Sequence, residues 1–301
     1  MKILVSLAVL LGGALPAVAL DIHHVAENTY ALVGSLDQRA PENLGNNATF
    51  GVVVTSEGVV LIDAGGSWLG AMEIDALIDE ITDQPVVIVI NSGGQDHRWI
   101  SNDYWQQQGA QIIASTAAVA DQQARGSLQM TVLNALIGDK LAGTSPVYAD
   151  TTFDSDYDFT LGGVDFEIRH IAQAHTPGDS FIWLPATRTV FTGDIVYVDR
   201  ILGIGDQSHS GTWIDVFEEI AALNPIHLVP GHGPATTMEH ATADTYDYLV
   251  NLRAKMGAYI DDGGDIIDSV NVDQSAFSYL ANFDRLAKRN AQQVFTEMEW
   301  E

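Results

Sequence analysis

The chain has 301 residues, 47% of them hydrophobic and 18% charged. These are values of an ordinary globular protein with room for a large core, and they exclude intrinsic disorder as its main description. Against 13 basic side chains stand 40 acidic ones, a formal charge of -27. A surface of that sign repels phosphate backbones and anionic headgroups, which argues against nucleic acid or a membrane surface as a partner. Cysteine is absent, so disulfides, thiolate metal ligands and a cysteine nucleophile are excluded.

Lys2 opens the chain, an apolar run follows from Ile3 to Leu15, and small residues stand at Ala17 and Ala19. That pattern predicts a secretory signal peptide over residues 1–19, cut after Ala19, and a periplasmic or secreted mature protein. Beyond the export signal, no segment approaches membrane length.

Short strands are expected at His24–Ala26, Thr29–Val33, Phe50–Val54 and Val59–Ile62, the last two joined by a turn at Ser56-Glu57-Gly58. Ser67–Ile81 has the spacing of a helix face, with Ile74, Leu77, Ile78 and Ile81 in register. Val86–Ile90 is a continuous apolar run, the signature of a strand buried on both faces. Asn91–Arg98 reads as a polar loop, Asn102–Gln108 as a helix, Gln111–Ala114 as a strand and Thr116–Leu141 as mainly helix. In the second half, Val164–Ile171, Phe181–Leu184, Thr189–Thr192 and His227–Val229 read as strands. Helices are expected at Thr212–Leu223, at Thr236–Ile260 and over Gln274–Glu299, with a break near Asn282. Strands followed by helices in each half suit two packed sheets with helices outside. The expected organisation is one domain over residues 20–235 and a helical extension over 236–301 packed on it.

Four polar loops follow apolar strands: Asn91–Arg98, Ala174–Asp179, Phe191–Asp194 and Val229–Pro234. Each sets His or Asp beside a Gly or Pro that lets the backbone turn sharply. Polar loops along one edge of a rigid sheet are where sites are built. Nitrogen and carboxylate donors without sulfur suit zinc, iron or manganese.

Taken together, the Asp63-x-Gly65 strand end, H-T-P-G-D at 175–179, T-G-D at 192–194 and P-G-H-G at 230–233 resemble the metallo-β-lactamase superfamily, across residues from about 48 to 240. The resemblance implies an α/β chain folded as a four-layer αββα sandwich, here with extra C-terminal helices, and a metal site along one sheet edge. It also implies a first loop of the form N-T-H-x-H-x-D-H-x-x-G-N, from which this chain departs. Asn91 and Asn102 match its two ends at equal length. In that register Gly93 and Gln95 replace the two leading histidines, His97 replaces the Asp, and Arg98 replaces the last His. A register shifted by one aligns Asp96-His97 with the D-H pair and leaves Ser92 and Gly94 in the histidine positions.

Carried over to these residues, the first metal position keeps only His175 and a share of Asp194. The second keeps His97, Asp194 and His232, with Asp96 as well in the shifted register. The resemblance therefore implies one divalent metal, zinc before iron, with His175 holding a water or a substrate oxygen. A metal there brings the pKa of bound water down to roughly 7. The expected reaction is attack of that hydroxide on an ester, thioester or amide carbonyl of a small-molecule substrate, with Asp96 or Asp194 orienting it and accepting its proton. Arg98 is expected either to stabilise a developing oxyanion or to form an ion pair away from the site. Arg200, Tyr197 and Trp213 are expected to contact substrate. The alternatives are a non-catalytic binding protein on the same fold, or iron-dependent sulfur or oxygen chemistry.

Overall fold

The computed structural model describes residues 20–301, so the expected signal peptide lies outside the described residues. Seven strands form the first sheet in chain order: β1 (Asp21–Ala26), β2 (Thr29–Val33), β3 (Thr49–Thr55), β4 (Gly58–Ile62), β5 (Val86–Asn91), β6 (Gln111–Ser115) and β7 (Thr151–Phe153). The first four pair antiparallel, and β4 to β7 pair parallel. The parallel half is where α1 (Trp68–Ile81), α2 (Asp96–Trp99), α3 (Asn102–Gln107) and α4 (Thr116–Ile137) make the crossovers. A second sheet holds β8 (Asp156–Leu161), β9 (Val164–Arg169), β10 (Phe181–Leu184), β11 (Thr189–Phe191) and β12 (His227–Val229), in the order β12-β11-β10-β9-β8. The remaining helices are α5 (Ser210–Ala222), α6 (Met238–Ala241), α7 (Asp247–Asp261) and α8 (Phe283–Met298).

Three apolar layers give the sandwich its order. Between the sheets, Val53, Val60, Ile62, Ile88 and Ile90 of the first face Phe166, Ile168, Ile182 and Phe191 of the second. Outside the first sheet, Val52, Leu61 and Val89 pack with Ile74 and Ile78 of α1 and with Trp105 of α3. Outside the second, Trp183 and Val190 pack with Trp213 and Phe217 of α5, Leu249 and Leu252 of α7, and Val294 and Phe295 of α8. Alternate residues of one strand thus serve two different layers, so strands such as β4 and β5 must be apolar on both faces. This is the expected four-layer αββα arrangement. Residues 236–301 share the outer layer with α5. No helix among the described residues is long and apolar enough to cross a membrane.

Several boundaries differ from expectation for local reasons. The polar, alternately exposed β7 and β8 lack an apolar run, and the sequence gives no signal for them. The expected helix over 236–260 is broken into α6, a wider π turn at Thr242–Tyr246, and α7. The tail helix starts at Phe283, after Asn282 adopts a left-handed conformation (φ 63°). The loop after β5 contains one helical turn, α2, whose four residues are all buried.

That turn delivers Arg98 to the seam where the two sheets meet. The side chain is fully buried and its five N–H groups all have acceptors. Nη1 donates to Asp63 Oδ2 (2.8 Å) and the Thr49 carbonyl (3.2 Å), both from the first sheet. Nη2 donates to Asp194 Oδ1 (2.7 Å) and the Gly231 carbonyl (2.9 Å), and Nε donates to Asp194 Oδ2 (3.2 Å), all beyond strands of the second sheet. The approach is close enough that a Cβ on Gly231 would lie 2.6 Å from Nη2. Asp63 holds its place at a left-handed φ of 72°, its carboxylate also accepting from the Ser92 amide (2.8 Å) and hydroxyl (2.9 Å). Removing one partner of such a buried network leaves the others uncompensated. Arg98→Met should therefore cost about 3–5 kcal/mol, read by urea denaturation; a loss under 1 kcal/mol would refute the role given to this residue.

Candidate active site

Four loops converge at this edge, as expected of the strand-end loops. The first is closed by a reciprocal amide pair: Asn91 Nδ2 donates to Asn102 Oδ1 (2.9 Å) and Asn102 Nδ2 to Asn91 Oδ1 (2.8 Å). Within it, α2 presents His97 toward Asp194, from the turn after β11, and His232, from the turn after β12. Ligand atoms of these three buried residues lie within 4.8 Å of one another. His97 Nε2 is 3.2 Å from Asp194 Oδ2, and His232 Nε2 is 3.1 Å from Asp194 Oδ1. The rings of His97 and His232 meet edge to face with centroids 5.2 Å apart. Asp194 sits in this position because Gly193 turns at φ 50° against Ser92, with no room for a side chain.

The charge states follow from the surroundings. Burial raises the Asp194 carboxyl, but the charge of Arg98 and the adjoining His97 and His232 overcome it and hold it well below the usual range. Burial, then the Arg200 charge, keeps His232 neutral, its pKa well below the usual value. Its Nδ1 lies 2.8 Å from the Asn47 carbonyl. A ring that donates there presents Nε2 as a bare donor atom, the arrangement common in metal-ligating histidines. His97 Nε2 is buried with no hydrogen-bond partner, its line to Asp194 being a contact of distance only. On its other side, Nδ1 faces Asp96 Oδ1 at 3.2 Å. An unpaired buried nitrogen, a bare imidazole and an ionised carboxylate at this spacing fit one divalent cation.

The two leading-histidine positions carry no imidazole. A Cβ on Gly93 would lie 2.3 Å from Asp179 Oδ1, and one on Gly94 would lie 2.0 Å from Asp121 Oδ2. In either register, then, a leading-histidine position is already filled by another side chain. Of that position His175 survives, with Nδ1 2.9 Å from the Gly203 carbonyl. Burial, partly offset by Asp194, lowers its pKa to about 4, so the ring is neutral at pH 7.

The structure reassigns some of the expected substrate and catalytic residues. Arg98 has no N–H left for an oxyanion. Asp96 is ion-paired with Arg39; burial raises its carboxyl, but Arg39 and His97 hold it below the ordinary range, which makes it a poor proton acceptor. Trp213 is fully buried, donates to the Ile195 carbonyl (2.8 Å) and supports the His175 ring. Tyr197 and Arg200 do line the cavity over the site, together with His97, His175 and His232. Tyr197 stacks on His232 with centroids 4.5 Å apart. Burial and the neighbouring Asp194 raise its pKa well above 10, so it stays protonated.

Arg39 is the site residue that sequence reasoning missed. It comes from the loop between β2 and β3, outside every motif, and places Nη2 2.7 Å from His97 Nδ1 while pairing with Asp96. Only the pairing of β2 with β3 brings that loop over α2.

Behind the site, Asp179 receives hydrogen bonds from the amide (2.7 Å) and hydroxyl of Thr176. Burial nonetheless raises its pKa to about 8 from 3.8. The folded protein thus binds a proton that the unfolded chain has released above its own carboxyl pKa. Stability from this group is full below about pH 4 and is lost as pH rises toward 8. Asp179→Asn should flatten the fall in urea midpoint between those pH values; an identical slope in the variant would refute the raised pKa.

Comparison with known proteins agrees with this architecture. The family model described as the metallo-beta-lactamase superfamily matches residues 45–232. Among solved structures, a metallo-beta-lactamase from Pontibacter korlensis aligns with a TM-score of 0.62 at 20% identity, covering 77% of this chain and 99% of that one. The metallo-beta-lactamase IND-7 aligns at 0.61 with 16% identity, covering 77% and 98%, and TMB-1 at 0.58 with 15% identity, covering 76% and 96%. At such identities the structures speak for the fold alone, while the match to the family model extends over the strands and loops that carry His97, His175, Asp194 and His232. The chain belongs to the metallo-beta-lactamase superfamily.

Proposed function

We propose that this protein is an exported metal-dependent hydrolase with a mononuclear site, acting on an ester, thioester or amide of a small molecule. The observation that carries the reading is the unpartnered buried Nε2 of His97 facing Asp194 and His232 at the floor of a cavity. His97, Asp194 and His232 would hold the cation, zinc being the metal that three N/O ligands and an open position suit best. When bound, a divalent cation there supplies Lewis acidity toward a carbonyl and toward water.

The residues of the chain divide the remaining work. Arg98 keeps Asp194 ionised and fixed, so that no reorganisation is needed during a turnover. Arg39, 2.7 Å from His97 Nδ1, and Asp96, 3.2 Å from it, set the ring's orientation. His175, neutral with Nδ1 toward Gly203, keeps Nε2 as an acceptor for the hydrogen of a water or substrate. With its low pKa it positions such a group rather than removing its proton. The protonated Tyr197 hydroxyl is held as a donor beside Asp194. Export follows from the leader over residues 1–19, with the protein working in the periplasm or outside the cell.

The test is elemental analysis of protein purified without chelator or nickel resin and reconstituted with zinc. We expect about one zinc per chain in the wild type and none in His232→Ala or Asp194→Ala. Full occupancy in His232→Ala would remove the proposed ligand set. Two metals per chain would overturn the mononuclear reading. Hydrolysis of a panel of chromogenic esters, thioesters and β-lactams should then depend on the metal and fall at least 100-fold in His232→Ala. Loss of activity without loss of metal in His175→Ala would support its positioning role.

A further inference from the structure

The chain has 13 basic residues, and four arginines, 39, 125, 200 and 289, line the one cavity above the candidate metal site. In a protein of charge -27 that gathering is opposed to the surface as a whole. Two of the four are neutralised in place: Arg39 pairs with Asp96, and Arg125 with Asp121. Arg289 stands exposed at the rim.

Arg200 is different. It is 8% exposed, and no carboxylate lies within ion-pair distance of it among the described residues. Its Nε is buried without a partner. The contact of its Nη1 is with Nδ1 of His232 at 2.7 Å, a neutral ring whose Nδ1 also faces the Asn47 carbonyl at 2.8 Å. One nitrogen cannot donate to the carbonyl and accept from the guanidinium at once. In either arrangement the ring brings no negative charge. A buried cation without a counter-ion is costly, and proteins carry one where a ligand supplies the anion. The Nε of Arg39, on the same cavity, is likewise buried and unpaired.

A second feature says what the anion is attached to. Apolar side chains line the same cavity: Leu128, Val132 and Leu136, one turn apart on α4, and Leu286 of α8. Leu128 is 63% exposed and Val132 45%, so two large apolar side chains face open solvent at the mouth of a cavity of about 360 Å³. Scattered exposed leucines need no explanation, but these line the same cavity as a buried cation.

We infer that the cavity takes a small amphipathic monoanion, a carboxylate whose oxygens are held by Arg200 and Arg39 and whose hydrocarbon body lies on Leu128, Val132 and Leu136. One uncompensated guanidinium matches one negative charge, which selects a carboxylate over a dianionic phosphate. A planar fork also matches a carboxylate's two oxygens. Naming this molecule as the substrate rests on the hydrolase reading above; its binding does not.

Binding of sodium octanoate, acetate, inorganic phosphate and octanol to the protein as purified, by isothermal titration calorimetry, tests the inference. Octanoate should bind at least tenfold more tightly than acetate, phosphate or octanol. Arg200→Met should weaken octanoate at least tenfold, and Leu128→Ser with Val132→Ser should weaken octanoate while leaving acetate unchanged. Ligand-free Arg200→Met should match or exceed the wild-type Tm, because it removes a buried charge without a partner. The inference is overturned if octanol or phosphate matches octanoate, or if octanoate binding survives in Arg200→Met. It is also overturned if ligand-free Arg200→Met melts well below wild type, which would make the arginine structural. Octanoate binding that persists in Arg200→Met but is lost with EDTA assigns the anion to the cation and likewise overturns it. Arginine-dependent octanoate binding by a protein that takes up no metal would keep this inference and sink the hydrolase reading.

Discussion

Everything at the working edge of this protein hangs on one buried guanidinium. Arg98 gives each of its five N–H groups to an acceptor, two from the first sheet and three from the second. A lysine could not replace that fork, because its three donors radiate from a point and do not match two carboxylates and two carbonyls on opposite sides. The arginine fixes the distance between the two sheets where β4 and β11 end. It keeps Asp194 ionised in a dry environment. Asp194 then holds His97 and His232 at hydrogen-bond distance on its other side.

The site built on that base differs in kind from a pair of metal positions. In either register one leading-histidine position is a glycine pressed against a carboxylate, Gly93 against Asp179 or Gly94 against Asp121, so the space belongs to side chains that pack the loop. What remains is one N2O donor set and a neutral histidine beside it. Positive charge is concentrated around it: Arg98 behind Asp194, Arg39 against His97 and Arg200 against His232. Only the last lacks a carboxylate. This distribution gathers cations around one cavity of a strongly acidic protein. The local field in a low-dielectric pocket is set by the few nearest charges, while the distant surface carboxylates are screened by solvent and salt.

The outer helical layer contributes to function as well as to burial. Leu286 of α8 and Leu128 and Val132 of α4 line the same cavity, so two helices far apart in the chain contribute to it. Asn290 of α8 donates to the Leu202 carbonyl (2.8 Å) and accepts from the Ile204 amide (2.9 Å), tying the loop that carries Arg200 to the C-terminal layer. The helices after residue 236 therefore brace the loop that carries Arg200 from behind.

Much of this was legible in the amino-acid order. Apolar periodicity announces the doubly buried strands β4, β5 and β10 and the face of α1, because burial on a regular element imposes a fixed spacing. The four strand-end loops announce themselves by pairing His or Asp with Gly or Pro, and they include His97, His175, Asp194 and His232. The edge strands β7 and β8 were invisible because half-exposed strands need no apolar run. Only the tertiary structure decided which groups are used up and which are free. Arg98 and Asp96 look in sequence like reagents and prove to be saturated by neighbours distant along the chain. Arg39 lies in no motif and reaches the site through a strand pairing. Arg200 is distinguished from the other arginines by a partner it does not have. Residue type and local pattern are properties of the chain, but a group's charge state and its unsatisfied valences are set by what folding places within a few ångströms of it.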